Sequence, residues 1–215
     1  MRLLIVFHEP GKDVGYRVAK VFTSKLEKIL QGVSVVPTYL GRLKNDIREG
    51  DYVFAALLTR GRHYQHVVEI SRNNDATFLG KIPNHLVVNS LIYWAQYAKC
   101  KRMVIYHRRS SKITYEQDED LEEVASMITS KLRRRVLCCI VESERAPIFS
   151  NDCIVGYTVL PNSFMDEVMK RYKRHRPKVL NYLLPVLTDG LVRVISERLS
   201  KAMYDFESST VGLLS

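Results

Sequence analysis

Apolar positions along the chain come as short continuous runs alternating with stripes at helical spacing. Residues 2–7 form a run of strand length, and 15–30 carry Val18, Val21, Phe22, Leu26, Ile29 and Leu30 at the spacing of one helix face. Residues 33–39 predict a second strand, 41–50 a polar connection, 51–58 a third strand opened by Asp51, and 64–71 a second helix. A short strand at 76–79 precedes Lys81-Ile82-Pro83. Asn84 is then the expected N-cap of a helix with Leu86, Val87, Leu91, Trp94 and Ala95 on its apolar side.

The order then starts again. An apolar run at 102–106 followed by His107 repeats the run at 3–7 followed by His8, and 119–134 supplies a helix through Leu121, Val124, Ala125, Ile128 and Leu132. Strands at 136–141 and 152–160 and a helix at 163–172 follow. The closing segments, FLGKIPNHLVVNSL and LLPVLTDGLVRVIS, set Asn84 against Asp189 as helix caps. Elements recurring in one order at an offset of about 100 residues indicate two copies of one unit, residues 1–100 and 101–215. Strands separated by amphipathic helices imply parallel pairing. The expected fold is therefore α/β: two similar lobes, each a mainly parallel sheet flanked by helices, with a cleft between them.

In open α/β sheets the ligand crevice lies outside the carboxyl ends of the strands. Two such ends in the first half deliver an imidazole. His8 follows the first strand, ahead of Glu9-Pro10-Gly11, and His63 follows the third, after the turn Thr59-Arg60-Gly61-Arg62. His66 lies one helical turn beyond and either joins the same site or sits on a solvated face. In the second half Phe164 falls where His63 would be and Asn162 where Gly61 would be, which leaves the histidine pair to the first lobe. His107 either faces the cleft or is a relic of the repeat, and His85 and His175 read as surface residues.

Composition and charge narrow the partners. With 215 residues, 46% of them apolar, the chain can bury a sizeable core, and a net charge of +10 calls for an anionic partner: nucleic acid, an acidic membrane surface, or a polycarboxylate or phosphate ligand. Lys12, Arg60, Arg62 and Arg72 follow strand ends in the first half, and Arg108, Arg109 and Lys112 in the second, so the cleft is expected to be cationic. The densest basic runs, 131–135 and 170–176, end predicted helices, where cations meet the negative end of the dipole. The 4 cysteines show no C-x-x-C spacing and read as buried free thiols. No apolar run reaches the roughly 18 residues of a membrane helix, and the start lacks a cleavable leader pattern, so a cytoplasmic protein is expected.

These residues resemble the class II metallochelatases of tetrapyrrole synthesis, especially the sirohydrochlorin cobaltochelatases and related ferrochelatases. The likeness rests on His8 at the end of Leu4-Ile5-Val6-Phe7, on Gly61-Arg62-His63 after the third strand, and on the closing segment from Leu79-Gly80 to Leu86; long members carry two copies. Glu9-Pro10 stand where the family has small residues, and His66 stands near the place of an expected acidic residue, with Glu69 beyond.

The resemblance implies an enzyme, a lyase that inserts a divalent metal, cobalt first and iron or nickel next, into an anionic tetrapyrrole such as sirohydrochlorin. His8 and His63 are the implied catalytic metal ligands, with Glu9 or His66 as auxiliary ligand or proton acceptor. Lys12, Arg60, Arg62, Arg108 and Arg109 are implied to bind the carboxylate rim, and Tyr16, Tyr39, Tyr64 and Tyr157 are candidates to stack on the ring. The metal is a substrate, and no organic cofactor is expected. The competing readings are a noncatalytic tetrapyrrole or metal binder and a basic α/β protein that binds nucleic acid.

Overall fold

The computed structural model describes residues 1–108, 115–133, 136–140, 146–149, 151–172 and 174–211. Among the described residues the elements run in this order: β1 (Arg2–Phe7), α1 (Asp13–Ile29), β2 (Ser34–Tyr39), α2 (Leu43–Asp46), β3 (Tyr52–Ala55), α3 (Arg62–Asn73), β4 (Thr77–Lys81) and α4 (Asn84–Tyr97), then β5 (Arg102–His107), α5 (Tyr115–Leu132), β6 (Val136–Ile140), β7 (Asp152–Gly156), α6 (Phe164–Tyr172), β8 (Lys178–Leu180) and α7 (Leu184–Val211). They form two four-stranded sheets of matching order, β2-β1-β3-β4 and β6-β5-β7-β8, with every strand pair parallel.

Alternation along the strands sorts the core into layers. Leu3, Ile5 and Phe7 of β1 point to one face and Leu4 and Val6 to the other, as the two-residue strand period requires. The first set joins a central core with Met103 and Ile105 of β5 and with buried positions of α1, α4, α5 and α7. Leu4 and Val6 pack instead with Val67 and Ile70 of α3, while Val104 and Tyr106 of β5 pack with Val168 and Tyr172 of α6. The helices α1, α4, α5 and α7 are thus shared between two sheets whose outer faces are covered by α3 and α6. Within this layer α4 and α7 approach so closely that a Cβ at Gly190 would lie 2.2 Å from Leu86 Cδ1.

One ion-pair clasp occurs in both lobes. Arg2 Nε and Nη2 donate to the Asp51 carboxylate at 3.0 and 2.6 Å, and the Arg48 N–H donates to it at 2.8 Å. In the second lobe Arg102 donates to Asp152 through the same two atoms, and the Phe149 N–H donates at 2.7 Å. Each Asp lies just before or at the start of a central strand and is nearly buried, which the pairing makes tolerable.

Several expectations change. Cys100 and Cys153 form a disulfide with Cα atoms 5.6 Å apart rather than remaining free thiols. These two cysteines lie 53 residues apart in sequence and meet because β7 runs beside β5, just after the end of α4. Pro83, not Asn84, is the N-cap of α4; Asn84 is its first helical residue. Asp189 lies inside α7 rather than at its start, where it pairs with Lys25 Nζ at 3.1 Å. The connection at 41–50 holds the short α2, which buries Leu43, and β8 completes the second sheet without a signal in the sequence reading. Among the described residues no helix is long and apolar enough to cross a membrane.

Candidate metal and macrocycle site

The strand order dictates where a crevice opens. From β1 the chain crosses to β2 on one side, and from β3 it crosses to β4 on the other, so the carboxyl ends of β1 and β3 are a topological switch point. The second sheet has its switch between β5 and β7. The two switch points meet at one cleft of about 350 Å³. His8, Glu9 and Pro10 line it from the end of β1, and residues 56–59 and 61–63 from the end of β3. The second lobe contributes His107 at the end of β5 and Arg108 just after it, 157–162 after β7, and Leu121 of α5.

His8 and His63 converge. Their ring centroids lie 4.9 Å apart with the planes tilted by 31°. His8 Nδ1 lies 3.1 Å from the carbonyl oxygen of Glu9; an Nδ1–H donating there leaves Nε2 as the lone-pair nitrogen. Burial, and next the charge of His8, hold His63 below the ordinary imidazole pKa of 6.5, with Glu9 pulling the other way. His63 is therefore neutral, with a free lone pair, at neutral pH. An ion bonded to one nitrogen of each ring at about 2.1 Å fits between rings at this separation. Among the described residues no cluster of three or more His, Cys, Asp or Glu side chains is placed to hold a metal; the cleft brings together two imidazoles.

The remaining sequence candidates divide. Glu9 lines the cleft, and its Oε1 accepts the Gly41 N–H at 2.6 Å. His66 is exposed on α3, outside the lining, and reaches the site only through its charge on His63. Arg62 and Arg108 line the cleft. Lys12 is turned instead to Asp166 of α6, and Arg60 to Glu119 and Asp120 of α5 at 3.6 and 3.0 Å. Both form bridges between the lobes rather than a cationic lining. Arg109 and Lys112 lie outside the described residues. Of the four tyrosines, only Tyr157 lines the cleft; Tyr16 and Tyr39 pack edge to face at 4.8 Å, and Tyr64 packs on Phe78.

Register corrects the pairing of His107 with His8. Arg2 and Arg102 both open their strands and both clasp the equivalent Asp, so Phe7 corresponds to His107 and His8 to Arg108. A one-residue slip exchanges the two faces of a strand. His107 accordingly takes the central-facing position of Phe7, which brings it to the cleft from the second lobe.

Two groups were not singled out for the roles they take here. The Tyr157 hydroxyl is buried without a hydrogen-bond partner among the described residues, and burial, then the charge of Asp120, raises its pKa and keeps it a neutral donor. Asp120, only 1% exposed, continues the apolar stripe of Val124 and Ile128 on α5. That continuation, inside the acidic run EQDEDLEE, was its signal in the sequence.

No protein-family model and no curated protein matches the sequence. Solved structures do match the fold. SirB from Bacillus subtilis with Fe3+ aligns over 95% of this chain and 98% of its own with a TM-score of 0.67 at 13% identity. CbiX, described as the terminal enzyme for biosynthesis of siroheme in denitrifying bacteria, aligns over 92% of this chain and 99% of its own, with a TM-score of 0.66 at 13% identity. The fold is that of the class II metallochelatases. The sirohydrochlorin chelatase SirB from Bacillus subtilis subspecies spizizenii in complex with cobalt aligns over 92% of this chain and 94% of its own, with a TM-score of 0.65 at 14% identity. The chelatase fold here has both lobes in one chain, with His8 and His63 on the first and His107 and Arg108 on the second.

Proposed function

We propose that this chain inserts a divalent metal ion, cobalt first and iron or nickel next, into an anionic tetrapyrrole of the sirohydrochlorin type. The observation that carries the reading is the His8–His63 pair, with ring centroids 4.9 Å apart in a cleft between two chelatase-fold lobes. Neutral imidazole binds Co, Fe and Ni ions, and two protein ligands leave positions open for water and then for pyrrole nitrogens. A fuller set of protein donors would hold the ion too firmly to release it.

The rest of the cleft suits a macrocycle. Leu57, Leu58, Leu121, Val159 and Leu160 offer an apolar wall, and the presence of Arg62 and Arg108 on the lining supports carboxylate binding, since a guanidinium pairs its N–H groups with a carboxylate. A cleft of about 350 Å³ is at the small end of ligand sites, roughly 300–1,000 Å³. The ring face enters and the carboxylate rim stays at the mouth. As the metal enters, two pyrrole N–H protons must leave. Glu9 is the carboxylate on the lining suited to accept one.

The test follows the absorbance of sirohydrochlorin mixed with Co(II). The protein should speed the change to the metallated spectrum, and His8→Ala or His63→Ala should abolish the acceleration. An equal rate with and without protein overturns the enzyme reading. A macrocycle bound without acceleration would make the protein a binder instead.

A further inference from the structure

One carboxylate of the second lobe fixes the turn that carries His63. Asp120 Oδ2 accepts the backbone N–H of Arg60 at 2.6 Å, and Oδ1 accepts Arg60 Nε at 3.0 Å and Asn84 Nδ2 at 3.1 Å. Lys81 Nζ stands 3.6 Å from the same carboxylate and donates to the Leu58 carbonyl at 3.1 Å. The segment leading from β3 to His63 is therefore held at two points, 58 and 60, by a network centred on α5. Gly61, the N-cap of α3, has no side-chain hydrogen bond of its own to set the helix entry.

We propose that Asp120 is a positioning residue for the metal-binding pair. By taking the Arg60 N–H it sets the direction in which α3 begins, and so the distance of the His63 ring from His8. An assembled pair then requires the two lobes to be docked, because the carboxylate belongs to one and both imidazoles to the other. The inference rests on the reading of His8 and His63 as metal ligands. Small displacements at such a site are costly, since a misplacement of about 1 Å can lose about 10²-fold in activity.

The experiment titrates Co(II) into the full-length chain without macrocycle, well below the melting temperature, and records thermal melts alongside. Asp120→Asn keeps the side-chain shape but turns one acceptor into a donor facing N–H groups, and it should weaken Co(II) binding about 10–100-fold, as loss of a ligand-orienting partner does. Arg60→Ala retains the backbone N–H and should weaken binding far less. Glu123→Gln alters a carboxylate that accepts from Asn84 at 2.7 Å but does not touch the turn, so it controls for a merely structural role. It should leave Co(II) affinity at the wild-type value. The proposal is overturned if Asp120→Asn binds cobalt like wild type while His63→Ala does not. It is equally overturned if Arg60→Ala or Glu123→Gln costs as much affinity as Asp120→Asn. Wild-type protein that binds no cobalt better than His8→Ala and His63→Ala would remove the underlying reading as well, and would be distinguishable by that pattern.

Discussion

The duplicated clasp allows stability to be separated from the site. In Arg2→Met the aliphatic stem is retained, while the Asp51 carboxylate loses its Nε and Nη2 donors and keeps only the Arg48 N–H at 2.8 Å. Removing one partner of a buried ion pair costs about 3–5 kcal/mol. The Arg2 side chain is 22% exposed, so water softens the loss, and about 2–3 kcal/mol is the expected cost. For a chain of this size that lowers Tm by about 4–12 °C. Changing Asp51 as well, as Arg2→Met with Asp51→Leu, should recover part of the loss because no orphaned charge remains. The assay is urea unfolding followed by circular dichroism, with Co(II) affinity measured in parallel. The clasp lies at the amino ends of β1 and β3, whereas His8 and His63 follow their carboxyl ends, so Co(II) affinity should stay at the wild-type value. A loss below about 0.5 kcal/mol, or a double variant less stable than Arg2→Met alone, would refute the reasoning.

Other consequences are as direct. Tyr157→Phe removes a buried hydroxyl with no partner among the described residues, so the ligand-free protein should gain about 1 kcal/mol in a thermal melt; a loss of that size would mean the hydroxyl is bonded. Because burial and then the charge of His8 lower the His63 pKa, the stability linked to its neutral form is whole above about pH 6.5 and is lost as pH falls through the folded-state pKa. An NMR titration should place His63 half-protonation below 6.5, and a midpoint at or above that value contradicts the geometry of the pair. The Cys100–Cys153 disulfide closes 53 residues and should contribute about 4 kcal/mol on the chain-entropy account, measured as the difference between oxidised and reduced chains. Such bonds are rare in reducing compartments, so trapping thiols at lysis also tests the cytoplasmic expectation: a pair protected from alkylation in the cell contradicts it.

What the sequence displayed depended on how local the signal was. Strands buried on both faces of a parallel sheet read as continuous apolar runs, which is why 2–7 and 102–106 were legible, and an imidazole after such a run stood out. Register was harder. Matching His107 to His8 by residue type misses by one position, because the structural equivalence is set by Arg2 and Arg102 meeting their Asp partners about 50 residues away. Lys12 and Arg60 followed strand ends as substrate-binding cations would. Their partners Asp166 and Asp120 come from the opposite lobe, and no local pattern announces a contact of that range. The disulfide was hidden for the same reason, and β8, three residues long, is too short to show a period.

Soaking a crystal of the full chain in Co(II) and collecting anomalous data above and below the cobalt edge tests the central claim most directly. The account predicts one strong peak in the cleft, about 2.1 Å from a ring nitrogen of His8 and from one of His63, and its loss in His63→Ala. Cobalt bound elsewhere, or no peak between rings that remain 4.9 Å apart, would contradict it.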